Sequence, residues 1–289
     1  MKLEDIKNVL ILGAGTMGQQ IGFWFAAKGY DVIIYDISDE ILTKASKRIE
    51  KFSKTIVKFN RMDQETASEA LPKIIFTTDS KLAAEKADIV NESVPEKPEL
   101  KGEIFNQFNK LCKDETIFTT NTSTLLPSMF ADATGRPEKF CAFHFHDLLV
   151  TSVVDIMPHP KTSIETTELI KQFAAKTDLI PIVLKKENVG YVFNYMLSAL
   201  ITASLTLAQK DVAPIPEIDQ AWIGVMHTHV GPFTIMDSIG LDTVHSVTEF
   251  WASKTKDKQA IANANFLKKY IDAGKKGIKT GEGFYKYGN

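Results

Sequence analysis

Cysteine is nearly absent from these 289 residues, which hold only Cys112 and Cys141. The two stand far apart, with no C-x-x-C or metal-ligand spacing, so no disulfide framework is expected and a reducing compartment suits the chain. Long hydrophobic runs are lacking as well. No stretch approaches the roughly twenty apolar residues needed to span a bilayer, and the segment Met1-Lys2-Leu3-Glu4-Asp5 offers no signal-peptide core. Nor is there an excess of one charge. Lys and Arg number 34 against 36 Asp and Glu, a formal net charge of -2, and no basic stripe forms, so neither nucleic acid nor a membrane is expected as a partner. There is no internal repeat and no low-complexity segment. What is left, 44% hydrophobic and 24% charged, is an ordinary globular chain with enough core for one large or two medium domains. The expected location is cytoplasmic.

The first positive signal is Gly13-Ala14-Gly15-Thr16-Met17-Gly18, a G-x-G-x-x-G directly after the apolar run Val9-Leu10-Ile11-Leu12. The first glycine allows a tight strand-to-helix turn, the second lets a pyrophosphate approach the backbone, and the third lets the helix pack on the sheet. A glycine triplet by itself also occurs in plain turns. Here a second apolar run, Val32-Ile33-Ile34-Tyr35, ends at Asp36, whose carboxylate can accept ribose hydroxyls and would repel a 2′-phosphate. The combination implies bound NAD rather than NADP, with the phosphates on the helix N-terminus, Thr16 and Met17 included.

Periodicity predicts helices over residues 17–28, 40–60, 98–112 and 163–177. Strands are predicted over residues 31–35, 74–77, 88–91, 116–119, 140–145, 153–157 and 180–184. This is an α/β pattern: a Rossmann-type doubly wound sheet with extra strands, followed by an all-α C-terminal domain. The polar junction Lys185-Lys186-Glu187-Asn188 places the boundary between an NAD-binding domain, 1–186, and a helical substrate and dimerisation domain, 187–289. A helix expected over 189–210 is apolar around nearly its whole circumference, which implies burial on several sides by a second subunit of a homodimer. The tail Gly281-Glu282-Gly283-Phe284-Tyr285-Lys286-Tyr287 reads as a structural flap.

Two features invite chemistry. His144 ends one predicted strand and Asp155 lies on the next, a spacing open to a base with its acidic partner or to a structural histidine. The H-x-H pairs His144/His146 and His227/His229 share the spacing of alternate strand residues, but no third or fourth ligand is evident, and no metal is expected.

The chain resembles the NAD-dependent L-3-hydroxyacyl-CoA dehydrogenases, including the shorter 3-hydroxybutyryl-CoA enzymes. The resemblance covers essentially the whole length. It rests on the glycine loop, Glu92-Ser93-Val94-Pro95-Glu96 with Lys101, Asn121-Thr122-Ser123, His144-Phe145, Gly190-Tyr191-Val192-Phe193-Asn194, Gly231-Pro232-Phe233 with Asp237, and Thr280-Gly281-Glu282-Gly283-Phe284-Tyr285. It implies an active site in a cleft between an NAD domain and a helical dimerisation domain. His144 would be the catalytic base, Asp155 its acid, and Ser123 and Asn194 the hydrogen-bonding pair around the reacting oxygen. Glu96, Lys101 and Asn121 would lie near the cofactor, with Glu92 as a cap or ion-pair partner.

Three departures bear on the substrate. The family usually reads His-Phe-Phe-Asn-Pro, whereas this chain has His144-Phe145-His146-Asp147-Leu148, one residue nearer the acid. The acid is normally Glu, and Asp155 is shorter by one C–C bond of about 1.5 Å, which makes Asp147 a rival partner for His144. On the long helix, where CoA-using members present a hydroxyl and a lysine, the ungapped register places Phe52 and Phe59, with Ser53, Lys54 and Lys58 close by. The wording of residues 95–101, 157–162 and 185–191 is nearer to branches acting on small hydroxy acids and diketones, including a gulonate dehydrogenase branch. The leading expectation is therefore a short-chain 3-hydroxyacyl-CoA dehydrogenase. The alternatives are the same chemistry on a free 3-hydroxy acid or diketo ester, and a catalytically silent NAD-binding structural or sensor protein.

Overall fold

The structure is a computed structural model that describes residues 1–288. Eight strands, β1 Asn8–Leu12, β2 Asp31–Tyr35, β3 Ile74–Thr77, β4 Ile89–Glu92, β5 Ile117–Thr120, β6 Phe140–Phe145, β7 Val153–Pro158 and β8 Ile180–Val183, form one sheet in the order β3-β2-β1-β4-β5-β6-β7-β8. Every neighbouring pair is parallel except β6 and β7. The first six strands keep the dinucleotide-binding order, and β7 and β8 extend its edge. The helices α1 Thr16–Ala27, α2 Asp39–Lys58, α3 Gln64–Ala70, α4 Ser80–Ala84, α5 Pro98–Asn109 and α6 Ile164–Lys176 flank it.

Alternation along the strands builds two apolar layers. On β1, Val9 and Ile11 pack into one layer with α1, α2 and α6, while Leu10 and Leu12 pack into the other with α5. Serine starts two of the helices: Ser38 accepts from the Ile41 amide at α2, and Ser163 accepts from the Thr166 amide at α6. On β6, Phe143 and Phe145 enter the first layer, which leaves Ala142 and His144 on the opposite side.

The chain divides into two compact units, Met1–Val192 and the residues from Phe193 onward. The expected boundary after residue 186 lies six residues earlier. Residues 187–192 are held by the first unit through the Asn188 amide on Met157 Sδ at 3.2 Å and the Tyr191 hydroxyl on the Thr122 carbonyl at 2.5 Å. The second unit is helical: α7 Phe193–Gln209, α8 Ile215–Met226, α9 Pro232–Ile239, α10 Leu241–Thr255 and α11 Lys258–Asp272. Its core gathers Leu205, Phe233, Met236, Leu241 and Leu267. The helix expected from 189 starts at Phe193, because Gly190 and Tyr191 both take positive φ (79° and 53°) and break the helical path. The tail packs as a flap, with the Phe284 and Tyr285 amides and the Tyr287 hydroxyl on the Asp237 carboxylate.

Candidate active site

The nucleotide cradle follows from three glycines. Gly13 has φ of 101°, and a Cβ there would stand 2.7 Å from the Ser93 carbonyl oxygen. A Cβ on Gly18 would come within 2.0 Å of the Gly13 oxygen, so the loop and α1 pack backbone to backbone. At Gly15 the nearest atom to such a Cβ is 4.0 Å away, which leaves room for a pyrophosphate over the loop. Gly15 is also the N-cap of α1 and supplies no side-chain cap, so the amides of Thr16, Met17 and Gly18 face the position an anion would take. Asp36 follows β2 and fixes the loop by accepting the Ala14 amide on Oδ2 at 2.9 Å. These residues fit a dinucleotide.

The expected base and acid meet where the parallel sheet turns antiparallel. His144 and Asp155 are register partners across β6 and β7, and His144 Nδ1 lies 3.0 Å from Asp155 Oδ2. Directly paired strand residues stand only about 4.5–5.5 Å apart, so this pairing makes up for the shorter aspartate. Asp147 does something else. It is exposed, and its carboxylate accepts the Leu149 amide in the turn between the strands.

Because a carboxylate only accepts, the close Nδ1 must carry the proton, and the lone pair sits on Nε2. Burial, the largest influence, pushes the His144 pKa below its usual value against the raising effect of Asp155. Burial works to raise the Asp155 carboxyl, but hydrogen bonds from His144 and His146, and their charge, outweigh it and hold it low. At neutral pH His144 is thus neutral, beside an ionised Asp155 carboxylate.

Two residues outside the expected base-acid pair also shape this site. His146 Nε2 lies 3.2 Å from the same Asp155 Oδ2, a contact that depends on strand register and cannot be read from spacing. The buried Tyr191 ring stacks on the His144 imidazole, with centroids 4.5 Å apart and planes at 11°. Its positive φ is strain of the kind found where a side chain is held for function. The signal was in the chain, as an aromatic directly after Gly190 in a quoted motif.

Ser123 is exposed on the loop after β5. That loop is held by Tyr191 on the Thr122 carbonyl and by Glu96, whose carboxylate accepts from the Thr122 and Thr124 hydroxyls. Asn121 ties β5 to β6 by accepting the Phe145 amide at 2.8 Å. Lys101, expected near the cofactor, is 1% exposed, with Nζ 2.6 Å from Glu92 and 3.2 Å from Glu96. Its ammonium neutralises the buried Glu92 carboxyl, whose pKa burial raises. Asn194 sits half-buried in the first turn of α7, within the second unit.

On α2, Phe52 turns inward to meet the Phe23 ring edge-on at 5.5 Å, and Ser53 is buried with its hydroxyl on the Glu50 carbonyl. Phe59 is exposed. So are Lys47, Lys51, Lys54 and Lys58, whose four- and three-residue spacing lines them along one helix face.

Two family models account for nearly all of the chain: the NAD binding domain of 3-hydroxyacyl-CoA dehydrogenase over residues 8–188, and the C-terminal domain of 3-hydroxyacyl-CoA dehydrogenase over 190–287. The chain belongs to the 3-hydroxyacyl-CoA dehydrogenase family. As in that family, it is an NAD-dependent oxidoreductase with a Rossmann-like sheet and a helical C-terminal domain. It is 30% identical to human mitochondrial hydroxyacyl-coenzyme A dehydrogenase, over 98% of this chain and 91% of that protein. It is 31% identical to a probable 3-hydroxybutyryl-CoA dehydrogenase of Deinococcus radiodurans, over 96% and 99%. Among solved structures, a diketoreductase shares 37% identity and a TM-score of 0.90, over 98% of this chain and 99% of that one. The (S)-3-hydroxybutyryl-CoA dehydrogenase of Ralstonia eutropha shares 28% and 0.86, over 98% and 100%.

Proposed function

We propose that this family member interconverts a short-chain 3-hydroxyacyl-CoA and its 3-ketoacyl-CoA, with His144 as the base and Asp155 as its acid. The observation that carries the chemistry is the 3.0 Å contact between His144 Nδ1 and Asp155 Oδ2. It leaves Nε2 as the only ring atom able to take the hydroxyl proton. Bound NAD supplies the hydride acceptor, and reduced NAD the donor for the reverse reaction. In oxidation His144 Nε2 accepts the hydroxyl proton as the carbon gives up its hydride, and Asp155 stabilises the imidazolium. In reduction that imidazolium returns its proton to the oxygen. The family motifs that end in Ser123 and Asn194 support these two as the pair that would hold the reacting oxygen in line. The lysine face of α2 favours a CoA thioester, because Lys47, Lys51, Lys54 and Lys58 offer cations to its phosphates. α7 exposes Tyr195 and Met196, which supports a homodimer formed through the helical domain.

A second reading, the same chemistry on a free 3-hydroxy acid or diketo ester, is favoured by the 37% identity to a diketoreductase. The inward turn of Phe52 and the spent hydroxyl of Ser53 support it too. Initial rates of NADH formation with 3-hydroxybutyryl-CoA and with free 3-hydroxy acids separate the two. The thioester is expected to be the better substrate by kcat/KM. Negligible thioester oxidation beside rapid turnover of a free acid would overturn the CoA assignment while leaving the base in place.

A further inference from the structure

The fold adds to the proposed base and its acid one side chain, His146, that their proton exchange does not require. His144 and His146 stand two residues apart at the end of β6, Asp155 faces them from β7, and one ligand atom from each lies within 4.8 Å of the others. Both imidazoles reach the same carboxylate oxygen, at 3.0 Å from His144 Nδ1 and 3.2 Å from His146 Nε2. Ligand atoms on a tetrahedral cation with bonds of about 2.0–2.1 Å stand about 3.3 Å apart, so these two contacts need open by only a few tenths of an ångström, while the two ring nitrogens, within 4.8 Å of one another, close by about 1.5 Å through side-chain rotation. The rings meet edge to face at 77°, so their nitrogens converge from different directions. Asp155 adds an independent sign. It is 1% exposed, and its Oδ1 has no hydrogen-bond partner among the described residues, so a buried carboxylate keeps unused lone pairs beside the two imidazoles.

We propose that His144, His146 and Asp155 form a site for a divalent first-row transition cation, Zn²⁺ foremost, and that the bound cation switches the base off. Two imidazoles and a carboxylate with one open position suit Zn²⁺, whereas Ca²⁺ and Mg²⁺ call for more oxygen ligands. The side chain of His146, 16% exposed against 5% and 1% for His144 and Asp155, is the entry side. The switch rests on the reading of His144 as the base. In the metal-free protein the Nδ1 proton points at Asp155 and Nε2 keeps its lone pair. When Nδ1 gives its lone pair to the cation, its proton moves to Nε2, and the Nε2 proton of His146 likewise moves to Nδ1, so both rings stay neutral. His144 Nε2 then holds a proton and accepts no other. Oxidation stops, while the cradle at Gly13–Gly18 is untouched.

The sequence holds an internal control, because His227 and His229 repeat the spacing but are exposed and gain no third ligand among the described residues. The test uses tag-free, full-length, chelator-treated protein, titrated with Zn²⁺ by calorimetry and with Co²⁺ by visible absorption. Expected are one cation per chain and the visible bands of four-coordinate Co²⁺. Affinity should fall at least about tenfold in His146→Phe, His146→Gln and Asp155→Asn, and hold in His229→Gln. NADH fluorescence titration checks that each variant is folded. Turnover of the wild type, relative to its own metal-free rate, should fall as Zn²⁺ loads, and this sensitivity should be lost with His146. No binding, or binding that the His146 and Asp155 variants leave unchanged, overturns the site. One cation bound through these residues with full turnover overturns the switch, and with it the base assignment rather than the site.

Discussion

At the scale of residues, His144 and Asp155 divide the work unequally. In the proposed mechanism the imidazole exchanges the proton, and the carboxylate sets which nitrogen is free. Asp155→Asn should lower turnover about 10²-fold or more, with NADH affinity changed by no more than about twofold. Asp147→Asn should stay near wild type, because its carboxylate serves a turn. The reverse pattern in steady-state rates would move the acid to Asp147. Burial lowers the His144 pKa, and protonated His144 cannot take the hydroxyl proton. Activity in oxidation should therefore be full above that pKa and lost as pH falls through it. In chelator-treated enzyme the acid limb of kcat/KM should lie below about 6.5, the value of an ordinary imidazole. Lys101 is a different kind of residue, set between Glu92 and Glu96. Lys101→Met leaves Glu92 buried without its countercharge and should cost about 3–5 kcal/mol in urea unfolding. Glu92 also accepts from the Val94 amide and the Thr120 hydroxyl, and a loss under about 1 kcal/mol would show that these two bonds alone satisfy it.

At the scale of elements, the glycine loop and α1 act as one packed unit. Gly18→Ala drives a methyl into the Gly13 carbonyl and should cost about 1–3 kcal/mol in unfolding free energy as well as NADH affinity. An unchanged NADH titration would contradict the close loop-to-helix packing. These elements were legible in sequence because buried parallel strands read as short apolar runs and the glycine loop marks its own turn. Other parts were not. The start of α7 looked helical from residue 189 because its apolar residues carry the pattern, whereas positive φ at Tyr191 is a tertiary compromise that stacks its ring on His144. The choice between Asp155 and Asp147 depended on the antiparallel register of β6 and β7, which no local spacing encodes. The same register brings His146 onto Asp155, so the convergence of the H-x-H pair on that carboxylate was hidden for the same reason.

At the scale of the whole molecule, the surfaces that bear on partners are the lysine face of α2 in the first unit and the exposed Tyr195 and Met196 of α7 in the second. Sedimentation equilibrium should return the mass of two chains of 32.2 kDa each, and Met196→Glu should shift it toward one. A monomeric wild type would remove the dimer from the account. The central claim is narrower. It is that His144, oriented by Asp155, is the base of an NAD-linked oxidation. The most direct measurement compares wild type and His144→Ala for NADH formation from 3-hydroxybutyryl-CoA, with NADH binding followed by fluorescence in both. Turnover lost by about 10²-fold or more with NADH binding retained is the result the account predicts. Turnover that survives the loss of the imidazole would contradict it.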